Sequence, residues 1–119
     1  HNQVAPFYEL IDVFVVSRPD ARVTRLVTPL KPFEAMRSGR ALVMSDLPAL
    51  AEIIVDGKTG RLYAKGDTEA LADIVGDLLT NDENRRQLGS AAREWIEENR
   101  TWSRVVEPIQ NLYHSLVNT

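Results

Sequence analysis

Lysine, proline and glutamate meet in one short run, Thr28-Pro29-Leu30-Lys31-Pro32-Phe33-Glu34-Ala35-Met36. Their spacing outlines a site for an anion beside a pair of hydroxyls. Pro32 suits the first position of a helix, where its missing N–H has no partner to lose. That puts Lys31 at the N-cap. A lysine cannot accept a hydrogen bond, so the amides of the first turn stay open. A helix end of this kind carries partial positive charge, and Lys31 adds a full one. A phosphate group satisfies both features. Glu34 falls in the same first turn. Its carboxylate can accept from vicinal hydroxyls such as those of a ribose, each charge-assisted bond contributing roughly 1.5–3 kcal/mol. Phosphate on the amides and ribose on the carboxylate describe a nucleotide site at the carboxyl ends of parallel strands. A Gly-rich phosphate loop is absent from the sequence.

Other residues near this run carry plainer readings beside functional ones. Ser17 and Arg18 follow a strand and fall near the site. Arg18, Arg22 and Arg25 can clamp or steer a diphosphate. An arginine-rich loop is more often a solvated face, and Arg22 fits that description best. Asp46 reads as a helix cap and Glu52 as an acid bonded to backbone amides near the site. Asp56-Gly57 reads as a turn, and His114 as a surface residue. Trp95, Trp102 and Tyr113 read as core or interdomain packing. No residue stands out as a nucleophile or general base.

The elements that must hold these groups follow from pattern. Pro6 to Ile11 reads as a short helix with Phe7, Leu10 and Ile11 on one face. Val13-Phe14-Val15-Val16 is continuous, β-branched and aromatic, the pattern of a strand buried on both faces. Residues 17 to 31 show no period and contain Pro19 and Pro29, so they read as a long loop, of a length that is usually functional or disordered. A helix runs from Pro32 to about Ser38, with Gly39 placed to end it. Ala41-Leu42-Val43-Met44 is a second buried strand. Ser45-Asp46 offers a cap for a following helix with Pro48 in its first turn and Leu50, Ile53 and Ile54 as its stripe. Arg61 to Ala64 is a third strand. Three helices complete the chain. The first is capped by Asp67 or Thr68 and the second starts at Asn81-Asp82 with Leu88, Ala92, Trp95 and Ile96 on one side. The third is capped by Thr101, and its internal Pro108 predicts a kink near residues 104 to 108. Strands alternating with helices imply an α/β fold with a parallel sheet flanked by helices and a helical C-terminal tail.

Composition bounds the partners. Fourteen basic against 17 acidic residues among 119 give a net charge of −3, which excludes a generic basic nucleic-acid binder. Hydrophobic residues at 44% and charged residues at 26% describe an ordinary globular balance. There is no cysteine, so disulfides, thiolate metal sites and cysteine nucleophiles are excluded. His1 and His114 stand at opposite ends, so no metal site is expected, and none of the chemistry above calls for a cofactor. The run Val13 to Val16 is far too short to span a bilayer, and a cytoplasmic protein is expected. The chain begins with His, not Met, and only three strands are visible. Both features lead to the expectation that it is a piece cut from a longer protein.

Three stretches together resemble one known family. Asp12 to Ser17, the run Pro29-Leu30-Lys31-Pro32-Phe33-Glu34-Ala35-Met36-Arg37-Ser38-Gly39-Arg40-Ala41-Leu42-Val43 with Ser45-Asp46, and Glu52 to Tyr63 with its Asp56-Gly57-Lys58-Thr59-Gly60 turn look like the C-terminal domain of group 1 (family four) glycosyltransferases. The resemblance implies the GT-B fold, two Rossmann-like domains facing a cleft, of which residues 1–119 are the C-terminal part of the donor-binding domain. It implies transfer of a sugar from a nucleotide sugar, with retention, to an acceptor held by an N-terminal domain absent here. The nucleotide sugar is then a substrate, and the fragment alone is expected to be inactive. Glu34 matches the second glutamate of the family's E-x-x-x-x-x-x-x-E motif, which holds the ribose hydroxyls. The first glutamate would fall at Leu26, a departure that bears on sugar recognition. The loop before the helix, Thr28, Pro29, Leu30 and Lys31, would touch sugar and diphosphate, with Ser17 and Arg18 beside it. The family's C-terminal helix crosses back to the N-terminal domain. Without that domain its apolar face is expected to be exposed or to pair with a second copy. A peripheral membrane location of the parent enzyme is also compatible with the resemblance.

Two other readings compete. A receiver-like binding module needs paired acids after its first strand, whereas Asp12 precedes the strand and has no acidic neighbour. A GT-B-shaped sugar-nucleotide epimerase shares the sheet and the ribose carboxylate. The three-helix tail and the Glu34-Ala35-Met36 helix fit the transferase better.

Overall fold

Three short runs of aliphatic and β-branched residues lie side by side in parallel, and helices cover both faces of the sheet they form. The structure, a computed structural model, describes residues 3–118; the reading of His1 lies outside them. The order is α1 (Ala5–Glu9), β1 (Val13–Val16), α2 (Arg22–Leu26), α3 (Lys31–Arg37), β2 (Ala41–Ser45), α4 (Pro48–Ala51), β3 (Arg61–Tyr63), α5 (Thr68–Thr80), α6 (Asp82–Asn99) and α7 (Trp102–Val117). The sheet order is β1-β2-β3. Val16 pairs with Met44, and Ser45 with Tyr63, so all three strands end at one edge.

The middle strand β2 is buried along its whole length. Its side chains alternate between two cores, as strand geometry requires. Leu42 and Met44 join Met36, Leu47, Leu50, Ile53 and Ala92 on one face. Ala41 and Val43 join Tyr63, Leu78 and Leu88 on the other. The outer strand β1 is only partly buried, with Val15 exposed. The reading of a strand covered on both faces is thus corrected. Periodicity reports the apolar run, but the place in the sheet decides what covers it, and β1 stands at an edge.

Helix boundaries follow the local signals in part. Gly39 adopts φ +67°. Its amide bonds the Met36 carbonyl at 2.9 Å, and the Arg40 amide bonds that of Ala35 at 3.0 Å. This paired closure ends α3 as expected. Asp67 and Asn81 cap α5 and α6 through the amides of Ala70 and Asn84. Asp46 does not cap α4. Leu47 stands at that N-cap, because the chain stays extended for one residue more. Thr101 occupies the N-cap of α7, its Oγ1 bonded to Ser103 Oγ at 3.1 Å and not to a backbone amide of the helix. In α1 the expected face of Phe7 and Leu10 is exposed, and Tyr8 turns inward. A helix of five residues is too short for a periodic stripe to decide its orientation. The contact of Tyr8 with Phe14, centroids 5.9 Å apart, decides it instead.

The helix α7 continues through Pro108 and buries none of its residues. Trp102, Val105, Ile109, Leu112 and Tyr113 are exposed along it, so neither Trp102 nor Tyr113 packs in a core here. No helix among the described residues is long and apolar enough to cross a membrane.

Candidate functional site

The carboxyl edge of the sheet holds a small polar cluster. Ser45, fully buried at the end of β2, accepts from the Arg18 amide at 3.1 Å and donates to the Arg18 carbonyl at 3.3 Å. The Tyr63 hydroxyl at the end of β3 donates to Ser17 Oγ at 2.8 Å. These bonds fix the backbone where the chain leaves β1. The Arg18 side chain then reaches forward to the Val27 carbonyl at 3.0 Å.

Between these points the chain is not an open loop. It forms the short helix α2, for a local reason. Thr24 Oγ1 accepts from the Ala21 amide at 3.0 Å and donates to the Pro19 carbonyl at 2.6 Å, a side-chain closure that replaces a periodic apolar face. Asp20 pairs with Arg25, and with Lys65 at 2.6 Å. The hydrogen bond from Arg25, then that from Lys65, holds the Asp20 carboxyl well below the usual carboxylate range. Arg25 thus pairs with Asp20 at the surface. Arg22 is exposed.

Helix α3 begins one residue earlier than its proline suggested. Leu30 is the N-cap, Lys31 the first helical residue and Pro32 the second. The Phe33 amide bonds the Leu30 carbonyl at 3.1 Å. Fewer amides stay open than an N-cap lysine would leave, so Lys31 offers its own charge more than a helix end. The Lys31 side chain is exposed and pairs with no described residue.

Glu34 projects from the first turn of α3 and is exposed. One of its oxygens, Oε2, accepts from the Tyr8 hydroxyl at 2.6 Å. Burial, and then the bond to Glu34, pushes the Tyr8 phenol up to about 12. Glu34 also borders a groove of about 440 Å³ between α3 and the α6–α7 junction, lined with Phe33, Arg37, Ile96, Arg100 and Trp102. Among the described residues no group of three or more acids and histidines is placed to hold a metal ion.

The family described as Glycosyl transferases group 1 matches residues 1–81. The chain belongs to this family. An alpha-maltose-1-phosphate synthase of Mycolicibacterium smegmatis is 35% identical over 89 residues, covering 70% of this chain and 23% of that protein. The group 1 chain thus spans about a quarter of the length of such relatives. Among solved structures, sucrose-phosphate synthase of Thermosynechococcus elongatus superposes with a TM-score of 0.80 at 26% identity, covering 99% of this chain and 28% of that one. HepE of Anabaena, solved with UDP-glucose, superposes with a TM-score of 0.73 at 18% identity, covering 95% of this chain and 29% of that one. The parallel sheet, flanking helices and helical tail are those of a GT-B glycosyltransferase.

In this group 1 segment the residues singled out by sequence fall into two sets. Ser17 and Arg18 sit at the end of β1, bound to Tyr63 and Ser45. Thr28, Pro29, Leu30, Lys31 and Glu34 follow α2 and open α3, with only Pro29 partly covered. Arg18 links the sets through Val27. Leu26, where the motif's first glutamate would stand, is the last residue of α2 and is exposed. Glu52 is exposed and its side chain bonds no described residue, so its expected bonds to amides are not formed. Asp56 does more than turn the chain, since its Oδ1 accepts from the Leu62 amide at 2.8 Å. Sequence reasoning missed Tyr8, Ser45 and Tyr63 as supports of the site. For Tyr8 a signal existed: a tyrosine amid apolar residues needs a partner for its hydroxyl.

Proposed function

We propose that this chain is the donor-binding part of an enzyme that transfers a glycosyl group from a nucleotide sugar, with retention, to an acceptor held by a preceding domain. Glu34 takes the ribose hydroxyls. Lys31 and the segment Thr28-Pro29-Leu30 face the sugar and diphosphate, with Ser17 and Arg18 at their edge. As the glycosidic bond to the donor phosphate breaks, negative charge grows on the leaving diphosphate. Lys31 stabilises that charge, an electrostatic contribution available from the first moment of reaction.

The observation that carries this reading is the placement of Glu34. It is an exposed carboxylate in the opening turn of α3, the helix that leads into β2, with one oxygen bonded to Tyr8 and no described partner on the other. Such a carboxylate keeps acceptor sites free for the two hydroxyls of a vicinal diol. Family membership supports it, as does a protein of the same fold solved with UDP-glucose. The exposed face of α7 supports a preceding domain as its cover, and the fragment alone is then inactive.

The test is made in the full-length protein. Calorimetry with UDP, GDP and ADP sugars identifies the donor, and Glu34→Ala weakens its binding by about tenfold or more. Unchanged affinity removes Glu34 from the site. Release of free nucleotide together with a glycosylated acceptor separates transfer from epimerisation.

A further inference from the structure

Tyr8 is 8% exposed, its ring rests on Phe14, and its hydroxyl has one acceptor among the described residues, Glu34 Oε2 at 2.6 Å. The two residues are 26 positions apart in sequence, so the bond joins α1 to α3. The end of α1 is itself held. Arg40 Nη1 donates to the Ile11 carbonyl at 3.2 Å and to that of Glu9 at 3.5 Å. Arg40 Nε donates to the Ser38 carbonyl at 3.0 Å. The phenol is thus fixed against the sheet, whereas the glutamate it meets stands on the surface.

We infer that Tyr8 is a positioning residue for the nucleotide, its hydroxyl anchoring one carboxylate oxygen of Glu34 so that the other faces the two ribose hydroxyls. This rests on the ribose reading of Glu34. An exposed glutamate without an anchor spreads over several rotamers, and binding must then select one of them. The phenol removes that selection before the ligand arrives, which is preorganisation. A proton donor on Oε2 also leaves Oε1 as the acceptor for the diol. With its pKa pushed up to about 12 by burial, the phenol keeps its proton at any pH where the protein would work.

A purely structural role is the competing account: the hydroxyl would need a partner simply because it is buried. The two accounts part on whether the effect of the hydroxyl passes through Glu34. The experiment uses the full-length protein and four forms: wild type, Tyr8→Phe, Glu34→Ala and the double variant. Phenylalanine keeps the ring on Phe14. Binding of UDP, GDP and ADP is measured by calorimetry, and then that of the 2′-deoxy counterpart of the tightest binder. Tyr8→Phe should weaken the ribonucleotide about tenfold and the deoxynucleotide less, so that discrimination between them shrinks. In the Glu34→Ala background, adding Tyr8→Phe should change nothing further. With the donor sugar, KM should rise and kcat stay near wild type. Two results overturn the inference alone: full ribonucleotide affinity in Tyr8→Phe, or an equal loss from Tyr8→Phe with and without Glu34. Wild-type binding by Glu34→Ala overturns the ribose reading, and this inference falls with it.

Discussion

Ser45 and Arg18 form a reciprocal pair in which one buried hydroxyl serves both backbone groups of a residue in the next strand's exit. Ser45 Oγ accepts the Arg18 amide at 3.1 Å and donates to its carbonyl at 3.3 Å. The strand pairing ends at Val16 with Met44, so this side chain extends it by one step. Ser45→Ala strips both backbone groups of their partner inside the protein. Leaving such groups unpaired costs about 1–3 kcal/mol. Chemical denaturation of Ser45→Ala should show a loss in that range. Hydrogen exchange at the Arg18 amide should quicken more than at Leu42 in the middle strand. Exchange that rises equally everywhere would mean that Ser45 has no local role.

Asp20 gathers Arg25 and Lys65 at the start of the segment that leads to the site. Its carboxyl is held well below the usual carboxylate range, first by the Arg25 bond and then by Lys65. A depressed acid contributes stability that is complete above its unfolded value, near 4, and is lost as pH falls through the lower folded value. Asp20→Asn should therefore be less stable than wild type at neutral pH, with the gap closing as the pH falls below about 4. Salt should narrow it too, because these groups meet solvent. Urea midpoints between neutral pH and strong acid test this. A gap that stays constant across that range would remove the ion pairs as its cause.

These two clusters show where sequence reading stopped. The start of α3 is legible to within one residue because Pro32 marks a helix start. Ser45 reads from sequence only as part of a cap, since its partner, Arg18, lies just beyond the end of β1 and 27 positions away. The α2 segment escaped notice because Thr24, not an apolar stripe, closes it. Phe7, Leu10 and Ile11 form the apparent apolar face of α1, whereas Tyr8 is buried and bonds a residue 26 positions later. The exposure of Val15 follows from β1 standing at a sheet edge, a fact that periodicity does not contain. Signals carried by a standard helix or turn pattern are legible; those made by a single side chain, as at Thr24, or across the sheet, as at Ser45, are not.

Gly89 and Gly76 offer a paired test of packing. A Cβ on Gly89 would lie 2.1 Å from the Gly39 carbonyl oxygen, whereas one on Gly76 would meet nothing within 4 Å. Both are helical, so alanine gains about 1 kcal/mol of intrinsic preference at either position. At Gly76 nothing opposes that gain, and Gly76→Ala should stabilise by about 0.5–1 kcal/mol. At Gly89 the helix α6 must retreat from the turn that carries Gly39, and overpacking of this kind costs about 1–3 kcal/mol. Gly89→Ala should be destabilising in net, read as a lower denaturant midpoint. Equal effects at the two positions would show that α6 does not lean on that turn.

Lys31 should contribute to donor binding in a way unlike Glu34. Its side chain is exposed and pairs with no described residue, so its attraction to a diphosphate acts largely through water. Exposed charge pairs contribute about 0.2–1 kcal/mol and weaken with salt. Lys31→Gln in the full-length protein should therefore weaken the donor by about two- to fivefold at low salt, with the difference fading towards 0.5 M. Glu34→Ala should cost more, and its cost should depend less on salt, because its bonds to hydroxyls are short and directional. Calorimetry across a salt series separates the two slopes. A large, salt-independent loss from Lys31→Gln would mean that Lys31 is desolvated when the donor binds, as closure of a facing domain would bring about. Parallel slopes for both variants would sink the division of labour between phosphate charge and ribose hydrogen bonds.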